Sequence, residues 1–294
     1  MTISDDQPKY LIAPNAGLAK LTRTVSGTDQ FGVSQQVPVV EERPLTIFLN
    51  SQEIVTAMTI GDYPKYLALG FLSNQGMLTD MADVVSVQYD EEVQAVAVRT
   101  LTPTNFEQKL KKKTRTSGCA VGTVFGDMME GLNGLELPQS EIRTSWLYRL
   151  AHLINRTDSL YLQVGAIHGT VLCQQDRPLV YMEDVGRHNA VDKIAGWMLS
   201  EAVDPVDKIL YTTGRLTSEM VIKTAKMGIP VLVSRSGFTA WGVEIAQQVG
   251  LVLIGRLRGQ RFVCLSGEDR LIRDVVVKNM PKDAKANHNK RDRE

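Results

Sequence analysis

The chain is poor in cysteine, in charge imbalance and in long apolar runs, and each shortage removes a class of protein. Only three cysteines occur in 294 residues, Cys119, Cys173 and Cys264. They are too few and too scattered for a disulfide framework, which suits a reducing compartment. Lysine plus arginine equals aspartate plus glutamate at 33 each. No global field therefore recruits nucleic acid or an anionic membrane, and any anion site has to come from local clustering. No apolar run approaches the roughly 20 residues that span a bilayer. The opening "MTISDDQPKY" has neither the basic segment nor the apolar stretch of a secretory signal, so a cytoplasmic location is expected. No G-x-G-x-x-G, Walker or G-x-S-x-G sequence is present.

What is there is ample for folding: 43% of the residues are hydrophobic and 22% charged, the balance of a globular protein, and the length suggests two domains. Residues 1–35 are polar and read as a flexible extension, and 276–294 read as a disordered charged tail. Residues 36–110 form a small α+β domain. In it "LTIFLN" and "QEIVTAMTI" make a hairpin across an Asn-Ser turn, and "VVSVQYD" and "QAVAVRT" make a second. Between them lies a helix started by Asp62 with Pro64 in its first turn. Residues 111–140 hold a flexible cysteine loop and a linker helix resuming at Val124 to Leu132. Residues 141–275 alternate strands and helices, with an amphipathic helix at "SWLYRLAHLINR" first. The alternation predicts β-α-β crossovers and a substantially parallel sheet covered on both faces, with "RFVCLSG" as an edge strand.

In an open α/β sheet ligands bind beyond the carboxyl ends of the strands, where helix N-termini also point. Those ends carry Arg187 and His188, then Gly214 and Arg215, then Ser234, Arg235, Ser236 and Gly237, then Gly255 and Arg256. Glycine lets backbone N–H groups approach a ligand, and guanidinium binds phosphate oxygens bidentately. One such arginine carries little information. Four at equivalent topological positions point to an anionic, nucleotide-like ligand, against the plainer alternative that they are solvated or pair with Asp184, Asp192 and Glu219. His168 opens an H-x-E-like position, but residue 170 is Thr170 and no P-C-x-x-C occurs, so a zinc-dependent deaminase lacks its general acid/base and two ligands.

Cys119 sits in "TRTSGCAVGTVFGDM" after Lys111 to Lys113 and Arg115, with Gly118 and Gly122 around it. Neighbouring cations and a following helix N-terminus lower a thiol pKa, and little around it can pack, so a reactive thiol is expected. Cys173 and Cys264 lie in apolar strand contexts and read as core residues. The lysine run is a solvated face or a candidate partner surface.

The segments "RPLTIFLN", "YLALGFLSNQGML", "TSGC", "EDVGRHNAVDK", "TTGRLTSEMVIKTAKMGIPVLVSRSG" and "GLVLIGRLRGQRF" resemble the formate dehydrogenase accessory sulfurtransferases, the FdhD/NarQ family, over roughly Val37 to Leu271. The resemblance implies an α/β fold: a cytidine-deaminase-like C-terminal domain without the zinc site, a smaller α+β N-terminal domain, and a homodimer. It implies a sulfurtransferase that accepts persulfide sulfur from a cysteine desulfurase. The sulfur passes to the bis-molybdopterin guanine dinucleotide cofactor of formate dehydrogenase, with GDP as a surrogate ligand. The family's loop cysteine maps onto Cys119. Some members have C-x-x-C there, and Gly122 stands at the second position, so a mechanism needing two thiols is in doubt. A cofactor chaperone that binds the nucleotide without transferring sulfur is the alternative.

Overall fold

In the computed structural model, residues 8–15, 20–101, 132 and 134–276 are described. Four strands, Arg43–Leu49 (β3), Gln52–Thr59 (β4), Val84–Asp90 (β5) and Ala95–Thr100 (β6), form one sheet in the order β4-β3-β6-β5. Both sequence hairpins are present, joined by parallel pairing of β3 with β6. One face of this sheet buries Leu45, Ile47, Leu49, Val96 and Val98 against Leu67, Ala68 and Leu72 of helix α1, Pro64–Asn74.

Helix α1 departs from expectation at its start. Its N-cap is Tyr63, in the left-handed region at φ 49°, with Pro64 following. Asp62 caps nothing there; its carboxylate is instead 2.5 Å from the buried Lys193 ammonium. A buried cation gains more from a carboxylate than a helix end that Pro64, lacking an N–H, already leaves with fewer unmet donors.

The larger sheet has six strands in the order β13-β12-β11-β10-β8-β9. They are His168–Gln174 (β8), Arg177–Asp184 (β9), Lys208–Thr212 (β10), Val231–Ser234 (β11), Val252–Arg258 (β12) and Arg261–Ser266 (β13). Only β10, β11 and β12 pair in parallel; β8 is antiparallel to both β9 and β10, and β13 is the antiparallel edge strand. The sheet is therefore mixed, because the turn after Gln174 makes β8 and β9 a hairpin and β8 then fills the gap that the next crossover leaves. Helices Arg187–Ser200 (α4), Ser218–Lys226 (α5) and Ala240–Gln248 (α6) make the crossovers. Two further helices, Thr144–Ile154 (α2) and Leu160–Val164 (α3), precede β8, and the short strands Ile142–Arg143 (β7) and Leu271–Ile272 (β14) pair with each other.

The period-2 alternation of the strands covers both faces, as the sequence predicts. Leu172, Met182, Leu210, Leu232 and Leu253 join the core under α4, α5 and α6. Val171, Tyr181, Tyr211, Val233 and Ile254 join the core under α2. Cys173 is fully buried in this second core, whereas Cys264 on β13 is half-buried.

The two sheets meet where α1 crosses α4. A Cβ on Gly70 would lie 1.7 Å from the Asp192 carbonyl oxygen, and one on Gly196 would lie 1.9 Å from that of Tyr66. Only glycine lets these backbones touch. Around the crossing runs a buried charge network. Lys193 Nζ is 2.6 Å from Asp184 Oδ2, and Thr59 Oγ1 donates to the same oxygen at 2.5 Å. Lys223 pairs with Asp192 at 2.6 Å, and Asn74 Nδ2 donates to Asp192 at 2.7 Å.

Residues 8–15 and 20–40 are more structured than their polarity suggests. Thr22–Thr28 (β1) and Ser34–Val40 (β2) form an antiparallel hairpin, and Ile12 bridges Val180 along the free side of β9. In both places backbone pairing supplies the order, which hydrophobic patterning does not reveal. Cys119, Lys111 to Lys113, the glycines beside them, the helix proposed from Val124 (apart from Leu132) and the charged tail from Lys278 lie outside the described residues. No helix among the described residues is long and apolar enough to cross a membrane.

Candidate functional site

Strands β9, β10, β11 and β12 all end at one edge of the large sheet, and His168 opens β8 at the same edge opposite Asp184. The turns that follow are wired to one another. Ser234 Oγ donates to the Gly214 carbonyl at 2.6 Å and accepts the Ser236 N–H at 2.9 Å. Leu216 N–H donates to the Gly237 carbonyl at 2.9 Å, and Arg256 N–H donates to that of Ser236 at 2.7 Å. These bonds make three loops one framework.

On that framework lies a cleft of about 530 Å³ lined by Arg235, Ser236, Gly237, Arg256, Arg258, Arg261, Phe262 and Val263. Four arginines thus share one opening. Arg256 sits in an irregularity of the β12–β13 pairing and takes the left-handed conformation at φ 56°, rare for a residue with a side chain. Arg235 is held from outside the cleft: its guanidinium lies 5.5 Å from the centre of the Tyr161 ring, and its Nη1 donates to Asn155 Oδ1 at 3.3 Å. The cationic lining and open backbone at Gly237, where an added Cβ would meet nothing within 4 Å, suit a polyanion such as a pyrophosphate.

The sequence candidates divide into groups. Arg235, Ser236, Gly237 and Arg256 line the cleft. Ser234 is buried beneath it as wiring. Gly255 serves packing: a Cβ there would meet the Phe238 ring at 2.5 Å. A second group gathers at the β10 end. Arg187, in the first turn of α4, packs against Gly214, whose added Cβ would be 3.1 Å from the arginine side chain. Arg215 is exposed beside it, and Thr213 Oγ1 lies 3.4 Å from His168 Nδ1. Burial first, then the charges of Arg187, His188 and Arg215, hold the His168 imidazole below its usual pKa.

His188 is not at the cleft. It is buried, with Nε2 3.1 Å from Glu219 Oε2 of α5, and burial lowers its pKa against the pull of that carboxylate. Asp184 and Asp192 pair with Lys193 and Lys223. Sequence reasoning missed Arg258, the last residue of β12, and Arg261 and Phe262, the first two of the return strand β13. The alternation of Arg256 and Arg258 along β12, facing Arg261 across the turn, is the signal that would have found them.

Comparison with known proteins gives a consistent picture. A family model described as the FdhD/NarQ family matches residues 40–272. The sulfur carrier protein FdhD of Listeria monocytogenes strain EGD-e is 29% identical over 256 residues, covering 86% of this chain and 97% of the relative. That of Wolinella succinogenes is 31% identical over 227 residues, covering 76% and 79%. A crystal structure from Desulfotalea psychrophila, described as a formate dehydrogenase accessory protein, superposes with a TM-score of 0.68 at 25% identity, covering 85% of this chain and 98% of the other.

Proposed function

The chain belongs to the FdhD/NarQ family, and from that premise we propose that it is a sulfur carrier required for formate dehydrogenase activity. Its Cys119 takes sulfur from a cysteine desulfurase, and the arginine cleft holds the guanine dinucleotide part of the molybdenum cofactor that receives it. The observation that carries the reading is the convergence of Arg235, Arg256, Arg258 and Arg261 on one cleft. Neither a net charge of zero nor a packing need accounts for that convergence, whereas a pyrophosphate does. The group at the β10 end, with Arg187, Gly214 and Arg215, offers further cationic surface along the same edge for the rest of a large cofactor. The mixed sheet with its three crossover helices supports a cytidine-deaminase-like ancestry, and the family likeness supports a cytoplasmic homodimer.

The acceptance step is thiol exchange. The Cys119 thiolate attacks the terminal sulfur of the desulfurase persulfide, a new sulfur–sulfur bond forms, and the desulfurase cysteine departs as thiolate with no net oxidation. This needs one cysteine, so Gly122 in place of a second thiol does not prevent it. The cofactor enters as a bound substrate, and the chain's own residues supply its grip: charge neutralisation by guanidinium and N–H donation from the wired loops.

The lone thiol also favours a second reading, in which the protein carries the cofactor without covalent sulfur. Cells lacking their own copy and supplied with Cys119→Ala or Arg256→Ala separate the two. The sulfur carrier predicts that both variants lose formate dehydrogenase activity. The chaperone predicts that only the arginine variant does, and normal maturation by Cys119→Ala overturns the sulfur-carrier reading.

A further inference from the structure

Glu183 is 2% exposed at the penultimate position of β9, does not line the cleft, and has no part in the proposed chemistry. Its surroundings make it an expensive residue for mere filling. Burial pushes its pKa up to about 7, against the two N–H groups it accepts and the Lys193 charge, with Asp62 adding to the rise. A buried carboxylate held at that cost is placed for what it binds.

What it binds is the start of α3. Its Oε1 accepts the Tyr161 N–H at 2.8 Å and its Oε2 the Leu160 N–H at 3.0 Å. Helix α3 has only five residues, of which Leu160 is buried while Tyr161 and Val164 pack partly against the same small apolar cluster. The Glu183 carboxylate and the Ser159 hydroxyl, which accepts the Leu162 N–H, fix the orientation of its first turn by hydrogen bonds. That turn carries Tyr161, whose ring faces the guanidinium of Arg235 at 5.5 Å, and Arg235 lines the cleft. We infer that Glu183 is a positioning residue for the anion cleft, acting through the backbone of Tyr161 to hold Arg235 in place. The inference rests on the reading of the cleft as a nucleotide site, and it assigns a role outside the arginines themselves.

The geometry explains why a carboxylate is needed. Its two oxygens each accept one of two adjacent N–H groups, and an amide of the same size offers one carbonyl oxygen and turns a donor toward the other N–H. Glu183→Gln therefore leaves the shape intact and releases one end of the turn. Without the ring beneath it, Arg235 keeps the 3.3 Å bond to Asn155.

The test uses the full chain, with Arg235→Lys and Arg256→Lys assigning the two arginine Nε–H signals in nitrogen-15 spectra. Over an aromatic face the Arg235 signal carries a ring-current shift. Glu183→Gln is expected to move it toward its position in Tyr161→Leu and to leave the Arg256 signal in place. Glu183→Asp, which keeps the charge but draws it back by one methylene, should displace it in the same direction. GDP binding should weaken about two- to fivefold in Glu183→Gln and in Tyr161→Leu. The double variant should be no weaker than Tyr161→Leu alone. An unmoved Arg235 signal in Glu183→Gln, or losses that add in the double variant, overturns the inference. A wild-type protein that fails to bind GDP removes the nucleotide reading, while the Arg235 signal still decides the role of Glu183.

Discussion

On the proposed reading, Arg256 ties a backbone strain to a ligand contact, and substitution can separate the two. At φ 56° a residue with a Cβ costs about 1–2 kcal/mol that glycine does not. Glycine gives back about 0.5–1 kcal/mol of that through the extra freedom of its unfolded chain. Arg256→Gly should thus be more stable than Arg256→Ala by about 0.5–1 kcal/mol, a rise in melting temperature of about 1–4 °C for a chain of this size. Both variants lose a charge-assisted contact to phosphate worth about 1.5–3 kcal/mol, so GDP affinity should fall about 10- to 100-fold in each. Thermal unfolding followed by fluorescence reads the first effect and titration calorimetry with GDP the second. Arg256→Gly binding GDP as the wild type does would remove Arg256 from the site. Arg256→Gly melting well below Arg256→Ala would refute the strain argument.

Three other perturbations address the frame that holds the cleft. Gly70→Ala or Gly196→Ala drives a methyl into the facing helix backbone at under 2 Å; a loss of more than about 3 kcal/mol is expected in denaturant titrations, and wild-type stability would contradict the close crossing. Lys193→Met leaves Asp62 and Asp184 buried without their cation, and chemical denaturation should show a loss of about 3–5 kcal/mol. Glu183 gives a pH signature: its folded pKa of about 7 lies above the ordinary carboxylate value, so its contribution is most favourable below pH about 4.5 and is lost as pH rises through 7. That contribution amounts to about 3 kcal/mol, and Glu183→Gln should remove it, so identical pH–stability profiles for variant and wild type would count against the burial of a titrating carboxylate.

The fold was legible where patterning is local. Period-2 and helical spacings located the strands from β3 to β6, α1, α2 and every strand and helix from β8 to β13, because burial of one or both faces writes itself into the order of apolar residues. Pairing partners are not written there. Whether β8 runs with or against β10 depends on which edge a crossover returns to, so a run of strands and helices read as parallel contains a hairpin. The β1–β2 hairpin escaped for a related reason: its side chains are mostly exposed, so backbone pairing rather than burial marks it. The cleft was half legible. Arg235 and Arg256 could be found from the rule that ligands sit beyond strand ends, whereas Arg258 and Arg261 required the β12–β13 pairing. His188 misled because it shares a segment with Arg187, and one step along a helix turns a side chain by about 100°, here into the pair with Glu219. Asp184 and Asp192 of "EDVGRHNAVDK", weighed as partners for the arginines, instead pair with Lys193 and Lys223 in the buried network at the crossing of α1 and α4. Charge in a sequence does not disclose its burial.

The fate of sulfur at Cys119 can be measured directly. The purified protein is incubated with a cysteine desulfurase and free cysteine, then digested and analysed by mass spectrometry without reduction. A sulfur carrier acting through Cys119 should show one added sulfur atom on the peptide containing Cys119, none on those containing Cys173 or Cys264, and loss of the addition on treatment with a reducing thiol. Sulfur found only elsewhere, or no sulfur while the protein still supports formate dehydrogenase maturation, would contradict it.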